Sequence, residues 1–313
     1  MKIKLIKAIY IIALLIPLGF VPPAACRSLP ALIETGWLAN NLNAGNLVLI
    51  DTRTASNYKV GHLPGAVSMP YAEWNAYNDD AECQLLPQST DLTKKLQALG
   101  MNSDSQVIIY DQGNTTGDAT KGAYAVWALE AMGHNKVSYL NGGFTKWTFE
   151  GRIIDNKLPT PQPGNFKIQT NNNRIATLAY VKSHLNSRQV VFVDARNTNE
   201  FFGTHKRADV ARYGHIPGAV NLPAPFLNNA GINRAPAVIL PLKNLEAMAA
   251  GMGIPRDRNT ELIIYCNTGQ YAALDYFVLH DLLGYRNARL YDGSMLQYAV
   301  QYKLPLVKYS WGR

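Results

Sequence analysis

The chain has 313 residues, of which 47% are hydrophobic and 17% charged, with a formal net charge of +8. This composition excludes a disordered or fibrous chain and supplies core for about two domains. The positive charge includes three lysines at the extreme N-terminus, and no arginine-rich arm or lysine cluster follows, which argues against nucleic-acid binding.

Lys2, Lys4 and Lys7 precede an apolar run from Ile9 to Val21, then Pro22-Pro23-Ala24-Ala25-Cys26. A basic start, a short apolar stretch and small residues predict a secretory signal peptide over residues 1–26. The run is short for a transmembrane helix, so no membrane span is expected in the mature chain. A periplasmic or secreted protein beginning near Arg27 or Ser28 is expected. Cys26 leaves a lipid anchor open as the alternative, although Pro23 stands where a lipobox usually has Leu or Val. Cys83 lies in a polar stretch, Asn78 to Gln84, and with Cys266 makes two thiols downstream of the signal. An oxidising compartment permits a disulfide, but pairing depends on geometry, and two separate thiols are expected.

Two halves of the chain repeat each other. Leu47-Val48-Leu49-Ile50-Asp51-Thr52-Arg53 and Gly61-His62-Leu63-Pro64-Gly65-Ala66-Val67 return as Val190-Val191-Phe192-Val193-Asp194-Ala195-Arg196 and Gly214-His215-Ile216-Pro217-Gly218-Ala219-Val220. Strands are predicted at Val107–Tyr110 and Leu262–Tyr265, and aromatic helices over Ala123–Met132 and Ala273–Leu283. Each half closes on a short strand and a glycine turn, Leu140-Asn141-Gly142-Gly143-Phe144 and Leu290-Tyr291-Asp292-Gly293-Ser294. Strands alternating with helices predict an α/β fold with a mostly parallel sheet flanked by helices. A period of about 150 residues is too long for a solenoid and marks a duplicated domain. The expected domains are residues 30–153 and 175–308, joined by a linker over 154–174 that contains Pro159, Pro161 and Pro163.

Cys266 follows the strand Leu262–Tyr265 and precedes a loop, Asn267-Thr268-Gly269-Gln270-Tyr271, that opens into a helix. Loop N–H groups and the helix dipole favour an anion there, so a lowered cysteine pKa and a nucleophilic thiolate are expected. The other reading is a buried structural thiol.

The Asp-x-Arg strand ends, the Gly-His-[Ile/Leu]-Pro-Gly-Ala-Val turns and the late strand ending in Cys266 resemble the rhodanese family of sulfurtransferases. The tandem arrangement is similar to the two-domain thiosulfate and 3-mercaptopyruvate sulfurtransferases. The resemblance implies two rhodanese-like domains, the first catalytically silent, since Asp111 stands where the second has Cys266. It also implies sulfur transfer through a persulfide on Cys266, with Asn267, Thr268, Gly269, Gln270, Tyr271 and Ala272 forming the substrate loop. Asp194 and Arg196 are read as a supporting buried pair, a role that Asp51 and Arg53 repeat in the first half. The donor would be a small sulfur-containing anion, and the acceptor a thiol, cyanide or a protein. No metal and no organic cofactor are needed.

Protein phosphatases and arsenate reductases of the same fold have an arginine six positions after the cysteine to grip the oxyanion; here that position is Ala272. Other departures concern the substrate. Asn267-Thr268 is neutral where the thiosulfate enzymes have Arg-Lys. Glu200 stands where an anion-gripping arginine is usual. His205, Lys206, Arg207 and Arg212 lie in a second-half stretch ten residues longer than its first-half counterpart. They either supply positive charge to the site or form a solvated loop. A non-turnover sulfane-sulfur carrier, and a binding module with an inert cysteine, therefore stand beside the enzyme. His62 and His215 occur in both halves, which argues against either as a general base. Trp127 and Trp147 are expected in the first core, and Trp74, Tyr77 and Trp311 are candidates for the cleft between the halves.

Overall fold

The computed structural model describes residues 29–77, 84–86, 90–230 and 235–312. The signal segment with Cys26, and Cys83, lie outside the described residues.

Two parallel sheets carry the repeat. The first contains β1 (Leu32–Ile33), β2 (Leu47–Asp51), β3 (Val67–Ser68), β4 (Gln106–Tyr110) and β5 (Val137–Leu140) in the order β1-β5-β4-β2-β3. The second contains β6 (Val190–Asp194), β7 (Val220–Asn221), β8 (Glu261–Tyr265) and β9 (Ala288–Leu290) in the order β9-β8-β6-β7. A parallel bridge from Ile175 to Leu290 occupies the place of β1 in the second sheet. The central strands are buried almost throughout, as expected for parallel strands covered on both faces. Asp51 pairs with Tyr110 and Asp194 with Tyr265, so Asp111 and Cys266 occupy equivalent places one residue past the central strand.

The halves are joined through a shared core. The helix Thr116–Ala131 is buried nearly all round and packs on the helix Gln270–Tyr276. Together with the inward faces of both sheets these helices form one continuous apolar cluster. A separate cluster backs each sheet on its outer side. A helix with no polar face belongs in such a position, between two sheets.

Three sequence expectations are corrected. The helix expected over Ala123–Met132 instead runs over Thr116–Ala131. Thr115 and Asp118 cap it reciprocally, a threonine side chain on one amide and an aspartate on another. The helix expected over Ala273–Leu283 instead starts at Gln270 and changes to π pitch over Phe277–Leu282. The closing turns align one residue differently from the sequence register. Phe144 N donates to Asp111 O and Met295 N donates to Cys266 O, so Ser294 matches Gly143 rather than Phe144.

The proline-rich stretch after residue 153 runs as an extended strap on the first half. Asp155 pairs with His62, Gly164 N donates to Gln97 O, and Phe166 is buried. Val307 pairs with His215 in the same way at the end of the second half. Trp74, Trp127 and Trp147 are buried in the core. Trp311 is exposed and stacks on Phe202, and the Tyr77 side chain lies outside the described residues.

Candidate active site

Cys266 lies at the carboxyl end of β8, beneath the start of the helix Gln270–Tyr276, and is 2% exposed. The amide of Thr268 donates to its Sγ at 3.4 Å, and the amides of Tyr271 and Ala272 also converge on the sulfur. The loop is tied down by Ser294. Its Oγ accepts the amides of Cys266 at 3.0 Å and Gly269 at 3.1 Å, and donates to Tyr291 O at 2.8 Å. Ser294 holds a left-handed φ of 47°, where its first-half match is Gly143 at 53°. Gly269 has φ 79°, and a Cβ there would stand 2.2 Å from Asp292 Oδ1. Its amide serves Ser294, so Gly269 contributes loop shape rather than a donor to the sulfur.

The expectation of a lowered thiol pKa is overturned. Burial pushes Cys266 above the ordinary value, and the three amides offset only part of that rise. The charge of Asp194 nearby adds to it. Desolvation of a thiolate at 2% exposure outweighs donors at sulfur distances.

Asp194 and Arg196 form the floor, both buried. Arg196 Nε bonds Asp194 Oδ1 at 3.0 Å, and Nη2 bonds Oδ2 at 2.6 Å and Gly214 O at 2.8 Å. Burial alone would lower the arginine pKa, but the Asp194 charge keeps it raised. Arg196 Nη1 is buried and has no hydrogen-bond partner among the described residues. Arg53 repeats the pairing with Asp51, but its guanidinium lies 3.7 Å over the Phe144 ring, with Nη1 directed to Gln112. In the second half Met295, itself buried, stands at the Phe144 position. Arg196 lines a cavity of about 320 Å3 together with Cys266.

Asn267, Thr268, Gln270 and Tyr271 line that cavity, whereas Ala272 is fully buried. Gln270 Nε2 also reaches the first half, donating to Thr120 Oγ1 at 2.8 Å and Gly117 O at 3.3 Å. Glu200 comes from the short helix Thr198–Phe202, and its Oε1 accepts the Asn267 side-chain amide at 2.7 Å. The long second-half stretch divides. His205 and Arg207 line the cavity. Lys206 donates to Val210 O and stands over the Tyr213 ring, while Arg212 donates to Tyr298, Ala299, Gln301 and Leu304 carbonyls.

Sequence reasoning missed Asn197 and Asn199, which also line the cavity, and Ser294. It also missed Tyr71 of the first half, near enough for the charges of Cys266 and Arg207 to act on its hydroxyl. The insertion itself was the available signal for the cavity wall. His62 and His215 are buried and stacked on Tyr58 and Phe201, and each Nδ1 meets the carbonyl of that same residue. At the first-half position Asp111 is buried, takes a hydrogen bond from Tyr139 OH at 2.7 Å, and is pushed up to about 7 by desolvation. Asp118 serves the helix cap. Among the described residues Glu130, His280 and Asp281 bring metal-ligand atoms within 4.8 Å of one another; Tyr276 OH donates to Glu130 at 3.2 Å.

Comparison with known proteins agrees with this duplication. A sequence model described as "Rhodanese-like domain" matches residues 34–150 and again 177–301. The chain is 32% identical over 268 residues to the thiosulfate sulfurtransferase of Pseudomonas aeruginosa, covering 85% of this chain and 93% of that one. It is 28% identical over 291 residues to the sulfur carrier protein TtuD of Thermus thermophilus, covering 88% and 96%. The structure superposes with a TM-score of 0.72 on SseA from Escherichia coli, described among 3-mercaptopyruvate sulfotransferases, at 26% identity over 85% of this chain and 99% of that one.

Proposed function

This chain belongs to the rhodanese family of sulfurtransferases, as two tandem rhodanese-like α/β domains, and we propose that it carries sulfane sulfur as a persulfide on Cys266. The observation that carries the reading is the convergence of the Thr268, Tyr271 and Ala272 amides on a cysteine sulfur that faces a cavity. In this reading the Cys266 thiolate attacks the outer sulfur of a donor. The donor bond to that sulfur breaks, and its electron pair leaves with sulfite from thiosulfate or, from 3-mercaptopyruvate, with the enolate of pyruvate, which takes up the donor's thiol proton. An acceptor thiolate or cyanide then attacks the outer sulfur, and Cys266 thiolate departs. The loop amides favour the charge on sulfur at both steps. The first half, with Asp111 in place of a cysteine, is assigned a packing role that supplies Tyr71 and Thr120 to the cleft.

A second reading, a sulfur carrier that hands persulfide to a protein, is favoured by two observations. Glu200 places a carboxylate in the cavity that a dianionic donor would enter, and one relative is a named sulfur carrier. Residues 1–26 support export, with Cys26 as an alternative lipid anchor, and the described residues contain no helix long and apolar enough to cross a membrane.

The test is thiocyanate formation from cyanide with thiosulfate and 3-mercaptopyruvate as separate donors, wild type beside Cys266→Ser. Turnover abolished by the substitution supports the enzyme and ranks the donors. Absent turnover with one added sulfur on Cys266 by mass spectrometry supports the carrier. Neither turnover nor added sulfur overturns both readings.

A further inference from the structure

Three side chains that take no part at Cys266 meet where the two halves join. Glu130 lies in the last turn of the first-half helix Thr116–Ala131. His280 and Asp281 lie in the second half, in the π stretch Phe277–Leu282. The Glu130 and Asp281 side chains are each 2% exposed, and that of His280 is 11% exposed. None of the three lines the sulfur cavity.

Their ligand atoms converge. His280 Nδ1 stands 2.9 Å from Asp281 Oδ1 and 3.9 Å from Glu130 Oε2, and one atom from each residue lies within 4.8 Å of the others. Donors bound at about 2.1 Å to a tetrahedral zinc ion sit roughly 3.4 Å apart. The two shorter spacings bracket that value. Residues adjacent in sequence do not face each other on a regular α-helix. His280 and Asp281 do so within a change of pitch of the kind that recurs at functional sites.

Tyr276 holds two of the three groups in place. Its ring stacks on the His280 ring with centroids 4.9 Å apart, and its hydroxyl donates to Glu130 Oε2 at 3.2 Å. Outer hydrogen bonds of this kind orient metal ligands. Charge points the same way. Carboxylates buried side by side repel, and a proton on His280 supplies one positive charge only. Arg174 also brings a positive charge, which acts on the Tyr276 hydroxyl, and its Nη1 donates to Arg286 O at 3.3 Å. A divalent ion answers both carboxylates at once, and buried charges are ordinarily paired or bound to metal.

We propose that Glu130, His280 Nδ1 and Asp281 bind a divalent transition-metal ion of the zinc class, which clasps the first half to the second. One imidazole nitrogen with two carboxylate oxygens suits zinc, whereas magnesium and calcium take oxygen ligands. Water completes the fourth position. Binding releases the Nδ1 proton to solvent, and the bonds to the ion replace the hydrogen bond to Asp281. The ion takes no part in sulfur transfer, so the clasp is independent of the persulfide reading.

The test uses the full chain carrying Cys266→Ser, which withdraws the reactive thiol as a competing ligand. The protein is stripped with a chelator, Zn2+ is added, the excess is dialysed away, and retained metal is measured by atomic emission. One ion per chain is expected, with a higher thermal unfolding temperature. His280→Ala is expected to abolish both effects while circular dichroism shows the fold intact. Glu130→Gln keeps the shape of the side chain and is expected to weaken Zn2+ binding by about tenfold or more. Co2+ bound in place of Zn2+ is expected to give visible bands with no thiolate charge-transfer band in the near ultraviolet. Absence of retained zinc, retention that His280→Ala leaves intact, or a thiolate band in the cobalt spectrum each overturns the proposal. Wild-type zinc affinity in Glu130→Gln overturns it also, and that variant decides the matter if His280→Ala does not fold.

Discussion

Ser294 Oγ accepts the backbone amide of Cys266 at 3.0 Å. The same oxygen takes the Gly269 amide, so one hydroxyl fixes both ends of the sulfur loop. Ser294 does this from a left-handed backbone that a non-glycine residue rarely adopts, and such strain persists where surrounding structure holds it. The first half has Gly143 in this place and no cysteine to hold.

Ser294→Gly should relieve the backbone strain while removing both amide anchors. Ser294→Ala removes the anchors and keeps the strain. Sulfur loading on Cys266, read by intact mass against time, is expected to slow in both. Ser294→Ala should also lose about 1–3 kcal/mol in chemical denaturation, the range for leaving buried donors unsatisfied. Loading at the wild-type rate in both variants removes Ser294 from the positioning of the loop.

Because burial raises the Cys266 pKa, the reactive thiolate is the minor form at neutral pH. The loading rate is therefore expected to rise with pH and to keep rising past the ordinary thiol value of 9.0. A pH–rate profile with small electrophiles checks this; a plateau near neutrality contradicts it.

Asp292 follows β9 in the second half, accepts the Leu86 amide at 2.7 Å and the Tyr124 hydroxyl at 3.0 Å, and is pushed up to about 7 by burial. Its first-half match, Asn141, accepts the Ile239 amide at 2.9 Å. The folded chain binds the Asp292 proton more tightly than the unfolded chain does. The contribution is thus complete below the ordinary value of 3.8 and is lost as pH rises through about 7. Asp292→Asn copies the first-half arrangement and should flatten the fall in stability between those pH values. Denaturation midpoints across pH, wild type against variant, provide the check.

Arg196→Met leaves Asp194 buried without its cation and should cost about 3–5 kcal/mol. The double change of Asp194→Leu with Arg196→Met should recover most of that loss. Sulfur loading is not expected to return with stability, because Arg196 also lines the cavity. Recovery of both would reduce the pair to a purely structural role.

Gly269→Ala places a Cβ at 2.2 Å from Asp292 Oδ1 on a backbone at φ 79°. Loss of persulfide formation is expected at temperatures where the fold, followed by circular dichroism, is intact.

The sequence by itself determined the duplication, the parallel α/β sheets and the position of Cys266, because apolar runs and turn motifs are local patterns that repeat in chain order. It also exposed the departures at Glu200 and in the stretch from His205 to Arg212, since those are visible by comparing one half with the other. Tertiary structure decided which of those charges meet the sulfur. Lys206 and Arg212 turn to backbone carbonyls while His205 and Arg207 turn to the cavity, a choice set by packing that sequence spacing does not encode. Ser294 was invisible for the same reason, standing 28 residues from Cys266 and meeting its amide only once the chain is folded. The thiol pKa was misjudged because amides and a helix start can be read locally, whereas desolvation depends on everything packed above the sulfur.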